Sequence, residues 1–362
     1  MGIETLSKEQ TLWPLLSNWY FEIRVRDFTK AGQLKDEIDD RLRTMEIAHN
    51  KTLFMYYTLL EFRYQLLLEN MEVASQLLET IETLQATETF LSYYYHFFKA
   101  IYEMMLENYD EAHQQFDRAK VLLMKLPEEE GDDRAEFYYK VAGYYYQINQ
   151  PLLALHSASK AADLFETENV EILKAGCENI MGLACVMLKE YAQAEEHFFS
   201  GLDLVIKHND QELVSWFRFN LGFLYSEQNL LPAAIRHLSE VYQHQFRPHK
   251  TAYLLALSHY KMGDKEYAEQ LIDEGLIHCS QNSSDEYKHH LLLLRMFRSK
   301  ISESTLLEAL QYFEKEELWA FIQQYAEEAA IYYLKTDKER SCHYFEIAYD
   351  AKQKIIEKGA LK

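Results

Sequence analysis

The sequence predicts an all-α chain in which a few unrepeated helices precede an array of helical hairpins. Breakers are scarce: the 362 residues are 48% hydrophobic and hold only 11 Gly and 5 Pro, a balance that favours long helices and short turns over sheets. A pairing of small residues also repeats. Ala112, Ala154, Ala194, Ala234 and Ala268 are each preceded, twelve positions earlier, by Ala100, Ala142, Gly182, Gly222 and Ala256. Each alanine is followed four residues on by Phe116, Ala158, Phe198, Leu238 or Ile272, and seven on by Ala119, Ala161, Gly201, Val241 or Gly275. In a helical hairpin the small residue of the first helix admits the second closely, and the i, i+4, i+7 stripe buries the second. The anchors are spaced by 42, 40, 40 and 34 residues, the tetratricopeptide order with somewhat longer inter-repeat turns. The expected architecture is an N-terminal three-helix bundle (1–70), a linking helix (71–88) and a tetratricopeptide-repeat superhelix of about seven repeats (89–362).

Three helical segments open the chain without the alanine pattern. Leu12 to Arg26 places Leu12, Leu15, Leu16, Trp19, Tyr20 and Ile23 at helical spacing, with Pro14 expected in its first turn. Residues 29–48 carry Ala31, Leu34, Ile38, Leu42 and Met45 on an otherwise charged surface, solvated or facing a partner. Lys51 to Glu69 is apolar over much of its circumference and is expected at the centre of the bundle. Residues 72–85 give the linking helix through Val73, Leu77, Leu78, Ile81 and Leu84. Aromatic runs such as Tyr93–Tyr95 and Tyr144–Tyr146 lie in long proline-free segments of helical period, so they read as helix. The acidic run 128–133 reads as a loop, with Asp132 or Asp133 as a cap for the next helix. Ala309 with Phe313, and Ala329 with Ser341, Phe345 and Ala348, fit the template loosely and suggest two terminal repeats. The lysine-rich stretch 351–362 is expected to fray.

Charge and motifs exclude much chemistry. The net charge is −21, of which residues 1–70 carry only −2 (9 Lys+Arg against 11 Asp+Glu), so the repeats hold −19. That field repels phosphate backbones, and no basic stripe offsets it, so direct nucleic-acid binding is not expected. Solubility accounts for such acidity; a cationic ligand drawn to an acidic groove is the sharper alternative. The phosphate-cradling GxxxxGK[ST] and GxGxxG, the metal-binding HExxH and the nucleophilic GxSxG are all absent. Cys177, Cys185, Cys279 and Cys342 show no CxxC spacing, and His289 and His290, as neighbours on a helix, point apart. No metal, no cofactor and no catalytic residue follows from these patterns. The N-terminus lacks signal-peptide order and no apolar run approaches about 18 residues, so a cytoplasmic protein with no membrane association is expected.

Binding is better signalled than catalysis. Counting from the anchors puts Tyr139, Tyr146, Asn179, Asn220, Phe223, Tyr253 and Tyr260 on or near the concave side formed by the first helices. An asparagine can bond both the C=O and the N–H of an extended backbone, which grips a peptide without reading its side chains. Inter-helix packing is the competing assignment for each aromatic. It is weaker for Asn220, an amide flanked by Phe219 and Leu221 that needs polar partners if buried.

The order of bundle and array, with Asn18-Trp19-Tyr20, Tyr56-Tyr57 followed by Phe62-Arg63, Ala135-Glu136-Phe137 and Asn220-Leu221-Gly222, resembles the Rap regulators of Bacillus over nearly the whole chain. The resemblance implies that the bundle binds the receiver domain of a response regulator, which some members dephosphorylate and others sequester. It also implies that Asn220 grips the backbone of a short imported signalling peptide. Two departures stand out. The family's water-orienting glutamine falls at Lys51, within His49-Asn50-Lys51-Thr52; an ammonium only donates, whereas an amide also accepts. Asn50 or His49 takes that place if the register shifts. Ala184 and Met187 stand where many members have the asparagine and aspartate of the peptide groove, so the cognate peptide differs or peptide control is lost. The expectation is a receiver-binding inhibitor with His49, Asn50, Lys51 and Phe54 at the interface. Asn220, Asn179, Phe223, Tyr139, Tyr146, Tyr253 and Met187 are expected at the peptide site. The alternatives are an active aspartyl-phosphate phosphatase and a generic tetratricopeptide scaffold.

Overall fold

A computed structural model describes residues 2–43, 50–84, 88–127 and 132–360, and among them finds 18 helices and no strand. The unrepeated helices are α1 (Gly2–Arg24), α2 (Phe28–Arg43) and α3 (Lys51–Leu67), followed by α4 (Met71–Leu84). α1 starts ten residues before the expected Leu12, which makes Pro14 an interior residue rather than a first-turn one. Met45 and His49 lie outside the described residues.

Fourteen helices then pair in sequence: α5 (Thr89–Met105) with α6 (Tyr109–Leu123), α7 (Asp132–Gln147) with α8 (Pro151–Thr167), and α9 (Glu171–Met187) with α10 (Tyr191–Lys207). The series continues with α11 (Gln211–Glu227) and α12 (Leu231–Gln243), α13 (Pro248–Met262) and α14 (Lys265–Gln281), α15 (Asp285–Arg298) and α16 (Glu303–Lys315), and α17 (Trp319–Tyr333) and α18 (Lys338–Ala360). By packing, the chain divides into two compact units, 1–180 and 181–362.

The small-residue pairing makes the hairpins close. All five anchor alanines and their five small partners are buried. A methyl added to Gly182 would come within 2.4 Å of the Phe198 ring, and one on Gly222 within 2.5 Å of Leu238. Those are the i+4 residues of the facing helices, so glycine there is required by the approach itself.

The first five hairpins also turn the same way. Glu107, Asn149, Lys189, Asn229 and Gly263, five residues before the anchors, all adopt positive φ, 89° for Gly263.

 The four non-glycine values cluster between 59° and 62°. The following residue's N–H reaches back to a carbonyl five residues earlier, as in Asn108 to Glu103 (2.9 Å), Gln150 to Tyr145 (2.8 Å) and Leu230 to Tyr225 (2.8 Å). That pattern closes the end of the first helix and sends the chain back as the second.

The terminal repeats depart from expectation at one position. Phe345 is 42% exposed, and its neighbour Tyr344 is buried instead, stacked on Tyr333 at 6.0 Å. Ser341, expected as an anchor, donates to the Ala330 carbonyl at 2.9 Å, which fixes α18 in that register. α18 also continues as helix to Ala360 rather than fraying from 351.

Candidate functional site

The start of α3 carries the described part of the expected receiver-binding segment. Asn50 is the N-cap: its side-chain oxygen accepts the Leu53 N–H at 3.0 Å, satisfying a donor that the helix cannot. Lys51 is exposed on the first helical residue, and Phe54, one turn on, is 37% exposed. His49 lies outside the described residues. Phe21 of α1 and Phe28 of α2 are also exposed aromatics of the unrepeated helices.

These helices are tied to the first repeats by a buried ion cluster. Glu136 of α7 is 1% exposed. Its carboxylate accepts the Tyr20 hydroxyl at 2.6 Å, and it pairs with Arg63 at 3.2 Å and Arg24 at 3.5 Å. Arg24 reaches Glu168 as well, at 3.3 Å. Burial opposes the charged form of Glu136, but Arg63, Arg24, Lys140 and the Tyr20 hydroxyl outweigh it and hold the carboxyl below its usual range. Lys140, one turn from Glu136, is pulled down to about 7, first by burial and then by Arg63. In the sequence Glu136 stands out only within Ala135-Glu136-Phe137. Its partners lie 73 and more residues away in the chain, so no local pattern announces them.

The expected peptide-site residues all fall on first helices of hairpins. In the first unit, Tyr139 and Tyr146 lie seven residues apart on α7 and so share a face. The Tyr139 ring packs on Phe165 at 6.2 Å, and its hydroxyl occupies the space where Gly176 lacks a side chain. Burial pushes that hydroxyl up to about 12. Tyr139 is therefore a packing residue as much as a wall. Asn179, on α9, is half-buried.

In the second unit, Asn220 and Phe223 lie three apart on α11, Asn220 only 5% exposed and Phe223 half-buried. Met187, the last residue of α9, is half-buried, while Ala184 is fully buried. Tyr253 joins an aromatic cluster with Tyr287 and His290, and its hydroxyl lies 3.4 Å from that of Tyr325. Tyr260 donates to Glu269 of the adjoining helix, which turns it to packing. The two histidines of the sequence pair diverge: His290 meets the Tyr325 hydroxyl at 2.7 Å, and His289 lies against Tyr312. Among the described residues, no group of three or more His, Cys, Asp and Glu is placed to hold a metal. None of their helices is long and apolar enough to cross a membrane.

Successive helical hairpins, preceded by unrepeated helices locked to the first repeats, define a tetratricopeptide-type helical array. A family model described as response regulator aspartate phosphatase H, N terminal, matches residues 8–69. Response regulator aspartate phosphatase H of Bacillus subtilis (strain 168) is 28% identical over 356 residues, covering 92% of this chain and 91% of that protein. The regulatory protein RapC of the same organism is 30% identical over 235 residues, covering 61% of this chain and 60% of its own. A solved structure of a Rap protein complexed with competence and sporulation factor aligns with a TM-score of 0.80 at 22% identity, covering 96% of this chain and 99% of that one. The chain is thus similar to Rap proteins over most of its length, and its N-terminal helices match a Rap N-terminal family model.

Proposed function

We propose that this chain is a Rap-type regulator that binds the receiver domain of a response regulator through the helices of residues 1–70 and inhibits it stoichiometrically, under the control of a short peptide bound by the repeats. The observation that carries the inhibitory reading is the start of α3. The Asn50 side-chain oxygen accepts a backbone N–H as the helix cap, and the exposed group beside it is the Lys51 ammonium, which only donates. Lys51 attracts an aspartyl phosphate, but positioning an attacking water needs an acceptor as well. The exposed Phe21, Phe28 and Phe54 add apolar area to the same helices, as protein docking requires.

Incubation with phosphorylated receivers tests this. Stable binding with phosphate retained is the expected result, and Lys51→Gln is expected to confer phosphate loss. Rapid loss that survives Lys51→Ala but vanishes in Asn50→Ala would overturn the inhibitory reading. The phosphatase reading is the second one, because phosphatase H, a relative by name, aligns along nearly its whole length.

Peptide control rests on Asn220, an amide buried on the first helix of its hairpin. Buried amides hold their geometry, and a peptide backbone supplies the donor and acceptor that such a group matches. Calorimetry with candidate peptides is expected to show binding that Asn220→Ala abolishes; equal affinities would remove Asn220 from the site. A bound peptide would act by favouring one arrangement of the receiver-binding helices over another. The acidic repeats and the receiver partner both favour a cytoplasmic protein that makes no direct contact with nucleic acid.

A further inference from the structure

A cavity of about 400 Å³ lies beside the start of α3 in the first unit. Four aromatic rings form its walls. Trp13 stacks on Tyr56 with centroids 5.4 Å apart, Phe90 meets both edge-on at 6.3 and 6.0 Å, and Tyr94 tilts against Tyr56 at 5.5 Å. Two carboxylates complete it. Asp133 is buried and accepts the Tyr94 hydroxyl at 2.7 Å, while Glu88 is exposed and accepts the Thr52 hydroxyl at 2.7 Å. Among the described residues, no Lys, Arg or His lines the cavity. Burial, followed for both by the Asp133 charge, raises the Tyr56 and Tyr94 hydroxyls above their ordinary value, so both phenols stay neutral at physiological pH. Arg24 acts on Asp133 electrostatically, but Arg24 is itself shared with Glu136 and Glu168.

Ring faces and carboxylates favour the same kind of guest. The negative face of an aromatic ring attracts a cation, and most strongly where water is partly excluded. A carboxylate at the inner wall and another at the rim supply the counter-charge that a desolvated cation needs. An anion would meet two like charges here, and a neutral group would gain neither interaction.

We propose that this cavity binds an organic cation, a guanidinium or alkylammonium group, held by the Trp13, Tyr56 and Phe90 rings and balanced by Glu88 and Asp133. The cation comes either from a free small molecule or from a Lys or Arg side chain of the docked partner. Thr52, which bonds Glu88, follows the exposed Lys51 directly, so the second source rests on the receiver-docking reading.

Ligand-observed NMR on the intact chain tests the site with N-acetyl-arginine amide and tetramethylammonium, against N-acetyl-citrulline amide as the uncharged isostere. Both cations are expected to bind, with citrulline amide about tenfold weaker or more. Glu88→Gln, at the exposed rim, and Phe90→Leu are each expected to weaken the cations about fivefold with the thermal transition unchanged. These two variants carry the test, because Asp133→Asn removes a buried charge and risks the fold. Failure of both cations to bind, binding of citrulline amide as tight as that of arginine amide, or unchanged binding in both variants would overturn the proposal. The source is read from receiver binding by the Glu88→Gln protein. Weakened receiver binding assigns the cation to the partner, and unchanged binding assigns it to a free molecule; either supports the site. A chain that binds arginine amide but no receiver removes the docking reading and leaves this one standing.

Discussion

The two units solve the same packing problem by different means. In residues 181–362 helices close by glycine against a large side chain: Gly182 on Phe198 and Gly222 on Leu238 within hairpins, and Gly275 on Leu291 between one hairpin and the next. Each contact involves neighbours in sequence, and each could be exchanged for another of its kind. In residues 1–180 the decisive contacts are single and distant. Tyr20 reaches Glu136 across 116 residues and Arg63 does so across 73, within a core that runs unbroken from Leu12 to Ile148. A repeat array is close to a sum of nearest-neighbour terms, whereas a buried charge network stands or falls as one piece. The half carrying the proposed receiver surface is therefore the half in which one substitution has the widest reach.

Glu136→Gln tests this most severely. It leaves Arg24 and Arg63 buried beside a neutral amide, and removing one partner of a buried ion pair costs about 3–5 kcal/mol. We expect the first unit to unfold early in denaturant, reported by Trp13 and Trp19, while Trp216 and Trp319 in the second unit hold their midpoint. A loss shared equally by all four reporters would erase the contrast between the halves.

The second unit has its own buried titratable exception, His237. Burial, with Arg236 and Arg218 nearby, lowers it to about 4. The folded form keeps it neutral, so as pH falls through 6.5 the unfolded chain takes up the proton first, and stability is lost progressively down to about pH 4. The loss is expected to reach roughly 2 kcal/mol, and His237→Phe to flatten it. Melts between pH 7 and 4 that run parallel for wild type and variant would show that His237 is not the group responsible.

How much of this was legible depends on the distance over which the information is stored. The hairpins were readable because a residue such as Gly222 and its contact Leu238 lie sixteen positions apart, and the same offset recurs at Gly182 and Phe198. α3 was readable because its apolar residues crowd one segment. The ion cluster was not, since Arg24, Arg63 and Glu136 each look like ordinary helix-surface charges until the fold brings them together. Phe345 misled for a related reason: the template places it at the i+4 position, but Tyr344 takes the buried place beside Tyr333 and leaves Phe345 exposed. At the candidate site, position along α3 and α11 was foreseeable, but the capping role of Asn50 and the depth of Asn220 needed the structure.

Gly222→Ala probes the repeat side of the comparison. Alanine gains about 1 kcal/mol in helix propensity, but its methyl meets the fully buried Leu238, and overpacking costs about 1–3 kcal/mol. A net loss of about 1 kcal/mol is expected, and a double-mutant cycle with Leu238→Ala should show strong positive rescue, since the smaller side chain makes the room. Additive losses would mean that the two residues do not share the contact.

The smallest effect sharpens the comparison most, because it concerns what the halves have in common. Glu107 in the first unit and Lys189 in the second hold the same left-handed turn, at φ 61° and 62°, five residues before their anchor alanines. A side chain in that conformation costs about 1–2 kcal/mol, and glycine relieves it while giving back about 0.5–1 kcal/mol in the freer unfolded chain. Glu107→Gly and Lys189→Gly should therefore each stabilise their own unit by about 0.5–1 kcal/mol, measured by chemical denaturation with the tryptophans of that unit as reporters. Equal gains would locate the difference between the halves in their cores alone. A gain at Lys189 with none at Glu107 would mean that the first unit's single-copy network also dictates its turns, and that its repeats are repeats in backbone geometry only.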